Sequence, residues 1–157
     1  MNKEIINLAN QEKAEEQARR LAHCLTAPLT CTFSGDIGAG KTTFIRAMLR
    51  ELGIQSAIKS PTFSLVESYE CKGLQIHHFD LYRIVEEAEL DYIGFNEYFG
   101  ENTVCCIEWP ERAPYKLAAA DLRFTLEIVN DSGTRQLIIE ANSQLGKQVL
   151  SCLIGRP

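Results

Sequence analysis

The residues best suited to chemistry lie in one glycine-rich stretch, Gly35-Asp36-Ile37-Gly38-Ala39-Gly40-Lys41-Thr42-Thr43. Its first eight residues fit the pattern G-x-x-x-x-G-K-[ST] at every fixed position, a pattern typical of loops that bind nucleotide phosphates. A loop around a phosphate must aim successive N–H groups inward, and side chains there would block the close approach. The stretch therefore predicts a phosphate-binding loop, against the alternative of a glycine-rich turn with a surface lysine.

The residues that follow the glycines have separate predicted roles. We expect a helix to begin near Lys41, so that its free N–H groups and its dipole favour a phosphate. The Lys41 ammonium should reach the outer phosphates, and the Thr42 hydroxyl is placed to ligate Mg²⁺. Thr43 is included in the binding loop as their neighbour.

Two carboxylates lie at the ends of predicted strands further along the chain. Glu108 ends the run 104–107, where the acid of a Walker B strand would emerge. It is expected to hold Mg²⁺, directly or through water, or to polarise the attacking water, unless it is a strand-end carboxylate facing solvent. Asp80 closes the run 74–79 and is the second candidate. Arg83 either pairs with one of these carboxylates or faces a phosphate, with a surface salt bridge as the plainer alternative.

The elements that must position these residues alternate between strands and helices. Apolar residues at helical spacing predict helices between segments that have the pattern of strands. Asn10 is a candidate N-cap for the first helix, and Gly53 is a candidate C-cap for the second. Strands are predicted at 4–8, 29–34, 64–69, 74–79, 103–107, 122–128 and 135–141, and helices at 14–25, 42–52, 84–90, 96–99 and 143–154. The pattern predicts an α/β P-loop NTPase fold whose central mixed, largely parallel sheet is flanked by helices and carries antiparallel hairpins. No repeat or linker divides residues 1–157, which predicts a single domain.

Composition limits the kinds of partner and the cellular compartment that we expect for this chain. The net charge is −5, from 21 acidic and 16 basic residues, and the basic side chains are scattered. A groove for a polyanion usually shows a basic stripe, so any nucleic acid is expected to be held mainly by other proteins, and no DNA is expected. No stretch resembles a signal peptide or a membrane span, which predicts a cytoplasmic chain. The six cysteines are irregularly spaced and are predicted to be reduced.

Three functions fit a phosphate-binding loop in a chain of this length. The guanine-reading Asn-Lys-x-Asp tetrapeptide is absent, which favours ATP over GTP. An ATPase needs a carboxylate near the metal, which Glu108 or Asp80 can supply. A small-molecule kinase of this fold usually carries an arginine-rich lid, and no segment concentrates arginines in that way. A nucleotide-gated binding module with negligible turnover is the third alternative.

Four segments together resemble the TsaE (YjeE) family of bacterial ATPases. They are 35–43, Ser60-Pro61-Thr62-Phe63, His78-Phe79-Asp80-Leu81-Tyr82-Arg83 and Ile107-Glu108-Trp109-Pro110-Glu111-Arg112. The P-loop occurs in many proteins, but this ordered set in a short chain is specific. The resemblance implies a P-loop fold with a mixed sheet and a role in forming threonylcarbamoyladenosine beside the anticodon of certain tRNAs. It also implies work with TsaB and TsaD, which transfer the threonylcarbamoyl group and would contact most of the tRNA.

The same resemblance implies roles for individual residues. Lys41 and the loop amides would bind the phosphates of ATP, Thr42 and Glu108 would ligate or position Mg²⁺, and Asp80 would assist. Residues 60–63 would behave as a switch-like segment that senses the nucleotide state. For the adenine, a loose analogy with the family suggests Asn10 and the turn Asp131–Thr134. Hydrolysis by the isolated chain is expected to be slow and to be stimulated by the partner proteins.

Overall fold

The computed structural model describes residues 2–130 and 133–155. These residues form one seven-stranded sheet in the order β1-β7-β6-β2-β5-β4-β3. The strands are β1 (Lys3–Leu8), β2 (Leu29–Ser34), β3 (Val66–Cys71), β4 (Leu74–Asp80), β5 (Thr103–Glu108), β6 (Leu122–Ile128) and β7 (Arg135–Ala141). The α-helices are α1 (Gln11–Ala22), α2 (Lys41–Leu52) and α3 (Gln144–Leu153). The predicted α/β fold is confirmed.

The strand directions decide where the functional residues meet. β2 runs parallel to both β5 and β6, and β4 runs parallel to β5. The hairpins β3–β4 and β6–β7 are antiparallel, and β1 pairs antiparallel with β7 at the edge. The carboxyl ends of β2, β4 and β5 therefore lie at one edge of the sheet, which is where open α/β sheets bind ligands.

Local signals set the helix boundaries. Asn10 caps α1, since its side chain accepts a hydrogen bond of 3.0 Å from the backbone N–H of Lys13. Ser143 caps α3 in the same way, through a 2.9 Å bond from the N–H of Gly146. Gly53 ends α2 with φ +104°, a left-handed conformation that glycine adopts without steric cost.

The core lies on both faces of the sheet. On one face, the rings of Phe33, Phe44 and Phe124 pack between the sheet and α2, with ring centroids 4.9 to 5.9 Å apart. On the other face, Phe79 and Ile107 pack with residues of the 3₁₀ segments 87–93 and 95–98. Every residue of β5 is buried, as expected for a strand covered on both faces.

The predicted helix at 84–90 is wrong in type and position. The structure has a 3₁₀ helix at Glu87–Ile93 instead. The Glu89 carboxylate accepts the backbone N–H groups of Val85 and Glu86 at 2.8 and 2.7 Å, so these residues are tied outside the helix. A reciprocal capping box between Glu86 and Glu89 then sets the helix start.

The prediction that all cysteines are reduced is wrong for one pair. Cys24, just after α1, and Cys152, in α3, form a disulfide with 5.8 Å between their Cα atoms. The other four cysteines, Cys31, Cys71, Cys105 and Cys106, are free. Burial raises the pKa of the Cys105 thiol to about 12, which keeps this thiol protonated and unreactive. The spacing did not reveal the pair because its members are 128 positions apart and meet only when α1 and α3 pack together.

No helix within the described ranges is long and apolar enough to cross a bilayer.

Cys24→Ser should lower the free energy of unfolding by up to about 4 to 5 kcal/mol, because the disulfide closes a long loop in the unfolded chain. Urea unfolding without reductant measures the loss, and Cys71→Ser is the matched control with a free thiol. Denatured, unreduced protein should titrate as four thiols. A count of six, with the mutant as stable as the wild type, would show that the disulfide does not form.

Candidate functional site

A cleft of about 390 Å³ opens at the shared edge of β2, β4 and β5. It is lined by the glycine-rich loop after β2, by the first residues of α2 and by the ends of β4 and β5. Gln11 at the start of α1 and Thr62 complete the lining. This volume lies within the range of small-molecule sites.

The backbone of the loop requires glycine at two positions for different reasons. Gly35 has φ +142°, and a Cβ there would lie 2.4 Å from the carbonyl oxygen of Leu126. Gly40 has φ +106°, and a Cβ there would lie 2.6 Å from Nη1 of Arg135. The loop is therefore confined between β6 and β7 on one side and the cleft on the other.

Arg135 supports the loop and is itself hydrogen-bonded to Gln11, and sequence analysis missed both residues. Arg135 Nη1 donates to the carbonyl oxygen of Ala39 at 2.9 Å and also to Oε1 of Gln11. Gln11 belongs to the cleft lining as well. No local pattern marks either residue, because the loop, the start of α1 and the start of β7 come together only in the folded sheet.

Lys41 is buried and points back along the loop. Its Nζ donates to the carbonyl oxygen of Gly35 and lies 3.7 Å from the centroid of the Trp109 ring. Burial lowers the pKa of the Lys41 ammonium, while nearby carboxylates, led by Glu108, oppose that shift. A phosphate in the cleft would supply the negative charge that a buried ammonium favours.

Thr42 and Glu108 meet, as the Mg²⁺ prediction requires. Thr42 Oγ1 donates to the Glu108 carboxylate and lies 2.9 Å from each of its oxygens. Glu108 is only 2% exposed, so the alternative of a solvent-facing carboxylate is wrong. Its Oε2 also accepts a 2.6 Å hydrogen bond from Nε2 of His78.

Asp80 is the register partner of Glu108 on the neighbouring strand. Its Oδ2 accepts a 2.9 Å hydrogen bond from Thr62 Oγ1, and its Oδ1 accepts one of 3.0 Å from the N–H of Tyr82. The first of these bonds ties the segment 60–63 to the end of β4. Sequence analysis named both Asp80 and this segment without a contact between them.

Aromatic side chains close one side of the cleft. The backbone of Trp109 is left-handed, with φ 60° and ψ 51°, and its main-chain N–H donates to the Phe33 carbonyl oxygen at 3.3 Å. Its ring packs on Tyr82 with 5.0 Å between centroids. The Arg83 guanidinium lies over the ring of Phe63, 4.1 Å from its centroid. Arg83 thus contacts the segment 60–63, an option that the sequence analysis did not consider.

The other residues predicted to bind nucleotide lie along the same loop. Ile37, Gly38 and Thr43 line the cleft, and Ala39 is buried. Asp36 is exposed and close enough to raise the pKa of Lys41. The loop thus places glycine backbone, an ammonium and two hydroxyls around one space, which is the composition of a phosphate site.

The oxygens of Thr42, Glu108 and Asp80 also fit Mg²⁺, which prefers hard oxygen ligands and usually binds through one or two carboxylates together with phosphates and water. The donor set contains no thiolate or imidazole facing the cleft among the residues that line it. A hydroxyl and a carboxylate already 2.9 Å apart need little rearrangement to share an ion.

The two suggestions for the adenine stand differently. Asn10 Oδ1 is engaged in capping α1, while its neighbour Gln11 lies in the cleft lining. In the turn Asp131–Thr134, Asp131 and Ser132 lie outside the described residues. Binding of the adenine by Asn10 or by this turn stays a prediction.

The chain is similar in sequence to known proteins. The family model for threonylcarbamoyl adenosine biosynthesis protein TsaE matches residues 8–137. The protein from Haemophilus influenzae named tRNA threonylcarbamoyladenosine biosynthesis protein TsaE is 42% identical over 118 residues, covering 75% of this chain and 73% of that protein. The protein of the same name from Bacillus subtilis is 33% identical over 122 residues, covering 78% and 76%.

The fold is similar to that of a solved relative. The crystal structure of YdiB from Bacillus subtilis superposes with a TM-score of 0.81 at 26% identity, covering 98% of this chain and 95% of that one. This chain and YdiB therefore share the overall arrangement of the fold.

Gly35→Ala should destabilise the protein more than Gly38→Ala, although both residues have positive φ. At Gly38 (φ +83°) a Cβ meets nothing within 4 Å, so we expect only the cost of the left-handed backbone, about 1 kcal/mol. At Gly35 the Cβ also collides with a backbone carbonyl, and we expect about 2 to 4 kcal/mol. Urea unfolding of the two variants measures both costs. Equal losses would contradict the close approach of the loop to β6.

Proposed function

The chain belongs to the TsaE family of threonylcarbamoyl adenosine biosynthesis proteins, and on that premise we propose that it binds and hydrolyses ATP with Mg²⁺ as an accessory protein of tRNA threonylcarbamoyladenosine biosynthesis. The observation that carries the ATPase proposal is the contact of Thr42 with Glu108 beside the glycine-rich loop. Together these features supply phosphate contacts, a metal-compatible oxygen pair and a carboxylate able to orient water. The relatives' names support the tRNA pathway.

The residues that line the cleft have different proposed roles according to their positions. The loop amides and Lys41 bind and orient the phosphates, while Thr42 and Glu108 hold Mg²⁺, which would neutralise developing charge on the phosphates. Glu108 or Asp80 is placed to accept a hydrogen bond from the attacking water. Asp80 also holds Thr62, so the segment 60–63 is connected to the site and is suited to respond to the nucleotide.

We further propose that TsaB and TsaD are the partners and that they stimulate hydrolysis. The acidic net charge of −5 and the scattered basic side chains support contact with proteins, and mainly indirect contact with tRNA. Tyr82, which lines the cleft, and Phe63, next to the lining residue Thr62, are both exposed, so a partner has access to the edge of the cleft. A partner that supplies a missing charge or ordering contact to a P-loop site can raise turnover by about 10³- to 10⁵-fold.

Phosphate release from ATP should be slow with the isolated protein and rise strongly on addition of TsaB and TsaD. Lys41→Ala should abolish it in both conditions, because the ammonium that binds phosphate is lost. Release that appears only with an added metabolite, with phosphate on that metabolite, would indicate the kinase alternative. Equal turnover with and without the partners would contradict the stimulation.

Glu108→Gln should lower phosphate release by about 10²-fold or more while ATP still binds, because the amide keeps the shape and loses the charge. Glu97→Gln, at an exposed glutamate of the segment 95–98, is the control and should behave like the wild type. Negligible release from the wild type, together with ATP-dependent partner binding that survives Glu108→Ala, would favour the nucleotide-gated binding module.

ATP should change the emission of Trp109, the single tryptophan of the sequence. Lys41 Nζ lies 3.7 Å from this ring, and a phosphate bound in the cleft would compete with the ring for the ammonium. Fluorescence titration measures the change, and Lys41→Met should give a spectrum that ATP does not alter. A wild-type spectrum unchanged at saturating ATP, with saturation checked by calorimetry, would show that the ammonium stays on the ring.

A further inference from the structure

His78 is a buried imidazole directly behind the proposed metal ligand. It is 1% exposed, and its Nε2 lies 2.6 Å from Oε2 of Glu108. Because a carboxylate accepts hydrogen bonds, the proton of this contact lies on His78 Nε2. His78 Nδ1 is buried and has no hydrogen-bond partner among the described residues. Among the described residues, Glu108 is thus the hydrogen-bond partner that holds the His78 ring.

The position of His78 in β4 explains how it reaches Glu108. Side chains alternate along a strand, so His78 and Asp80 point to the same face of the sheet. Asp80 pairs directly with Glu108 and His78 pairs with Cys106, which places the imidazole one row below the carboxylate. Glu108 is therefore held from below by His78 and from α2 by Thr42.

The acid at the end of a Walker B strand is usually an aspartate, and this arrangement accounts for the glutamate at the end of β5. The carboxylate must contact the hydroxyl of Thr42 on α2 and the imidazole of His78 on β4 at the same time. Aspartate, one methylene shorter, would be drawn back toward β5 and away from one of the two. The longer side chain gains reach but also more rotamers, so it needs a fixed partner to keep one orientation.

We propose that His78 is a positioning residue for Mg²⁺ binding: its Nε2–H holds the Glu108 carboxylate in the orientation that meets Thr42. Hydrogen-bonded partners of metal ligands typically change metal affinity by about 10- to 100-fold when they are removed. His78 does not line the cleft, so it should leave the binding of metal-free nucleotide unchanged. The inference rests on the proposed role of Thr42 and Glu108 at Mg²⁺.

The test compares His78→Leu, which removes the donor, with His78→Gln, whose side-chain amide can present an N–H to Glu108. His77→Leu is the matched control, because His77 is the adjacent buried histidine of β4 and points to the opposite face, where it contacts Ser68 and Tyr98. Calorimetry of ADP binding, in EDTA and over a series of MgCl₂ concentrations, gives the nucleotide affinity and the Mg²⁺ midpoint. Urea unfolding checks that each full-length variant is folded.

We expect His78→Leu to raise the Mg²⁺ midpoint by about 10-fold or more, with unchanged ADP affinity in EDTA. His78→Gln should recover most of this loss, and His77→Leu should match the wild type. A wild-type midpoint in His78→Leu, an equal shift in His77→Leu, or no recovery in a folded His78→Gln would overturn the positioning role. If Mg²⁺ does not change the ADP affinity of the wild type, the proposed Mg²⁺ site at Thr42 and Glu108 is wrong. The positioning role of His78 is then wrong as well.

Discussion

The burial of one carboxylate constrains the whole site. Glu108 is 2% exposed at the end of a strand covered on both faces, and a charge removed from water must be compensated by hydrogen bonds or opposite charge. His78 and Thr42 provide the hydrogen bonds, and the Lys41 ammonium provides positive charge nearby. The strand β4, the strand β5 and the helix α2 are thereby fixed relative to one another at the same point.

The glycine-rich loop obeys a second constraint of space. It runs close to the carbonyl of Leu126 in β6, and its Ala39 carbonyl is held by Arg135 of the neighbouring strand β7. Main-chain atoms placed so tightly can turn their N–H groups toward the cleft only where side chains are absent. Lys41, Thr42 and Thr43 follow at the start of α2, so the helix dipole and the side chains act on the same space. The residues proposed to bind phosphate are therefore consecutive in the sequence, while the residues that hold the loop in place lie on distant strands.

The aromatic and switch-like residues connect the site to the surface. Trp109 contacts both Lys41 and Tyr82, and Arg83 lies over the exposed ring of Phe63. Thr62 joins the same segment to Asp80. A change at the phosphates thus has short physical connections to side chains that a partner protein can touch.

The sequence by itself determined the local features. The caps at Asn10 and Gly53 depend on neighbours within a few residues, and the structure confirms both. The glycine pattern is equally local, and its role in phosphate binding stays a prediction. The family resemblance grouped Glu108, Asp80 and the segment 60–63 as motifs of one family without giving the contacts between them. The 3₁₀ helix at Glu87–Ile93 escaped prediction because side-chain hydrogen bonds to the backbone outweighed apolar spacing there.

Tertiary structure alone decided which distant residues became partners. His78 meets Glu108 because of the register between β4 and β5, Arg135 reaches Ala39 because of the strand order, and Cys24 meets Cys152 because α1 and α3 share one face. Each pair is separated by 30 to 128 positions. Register and strand order arise from packing the entire core, so no local pattern of residues contains them.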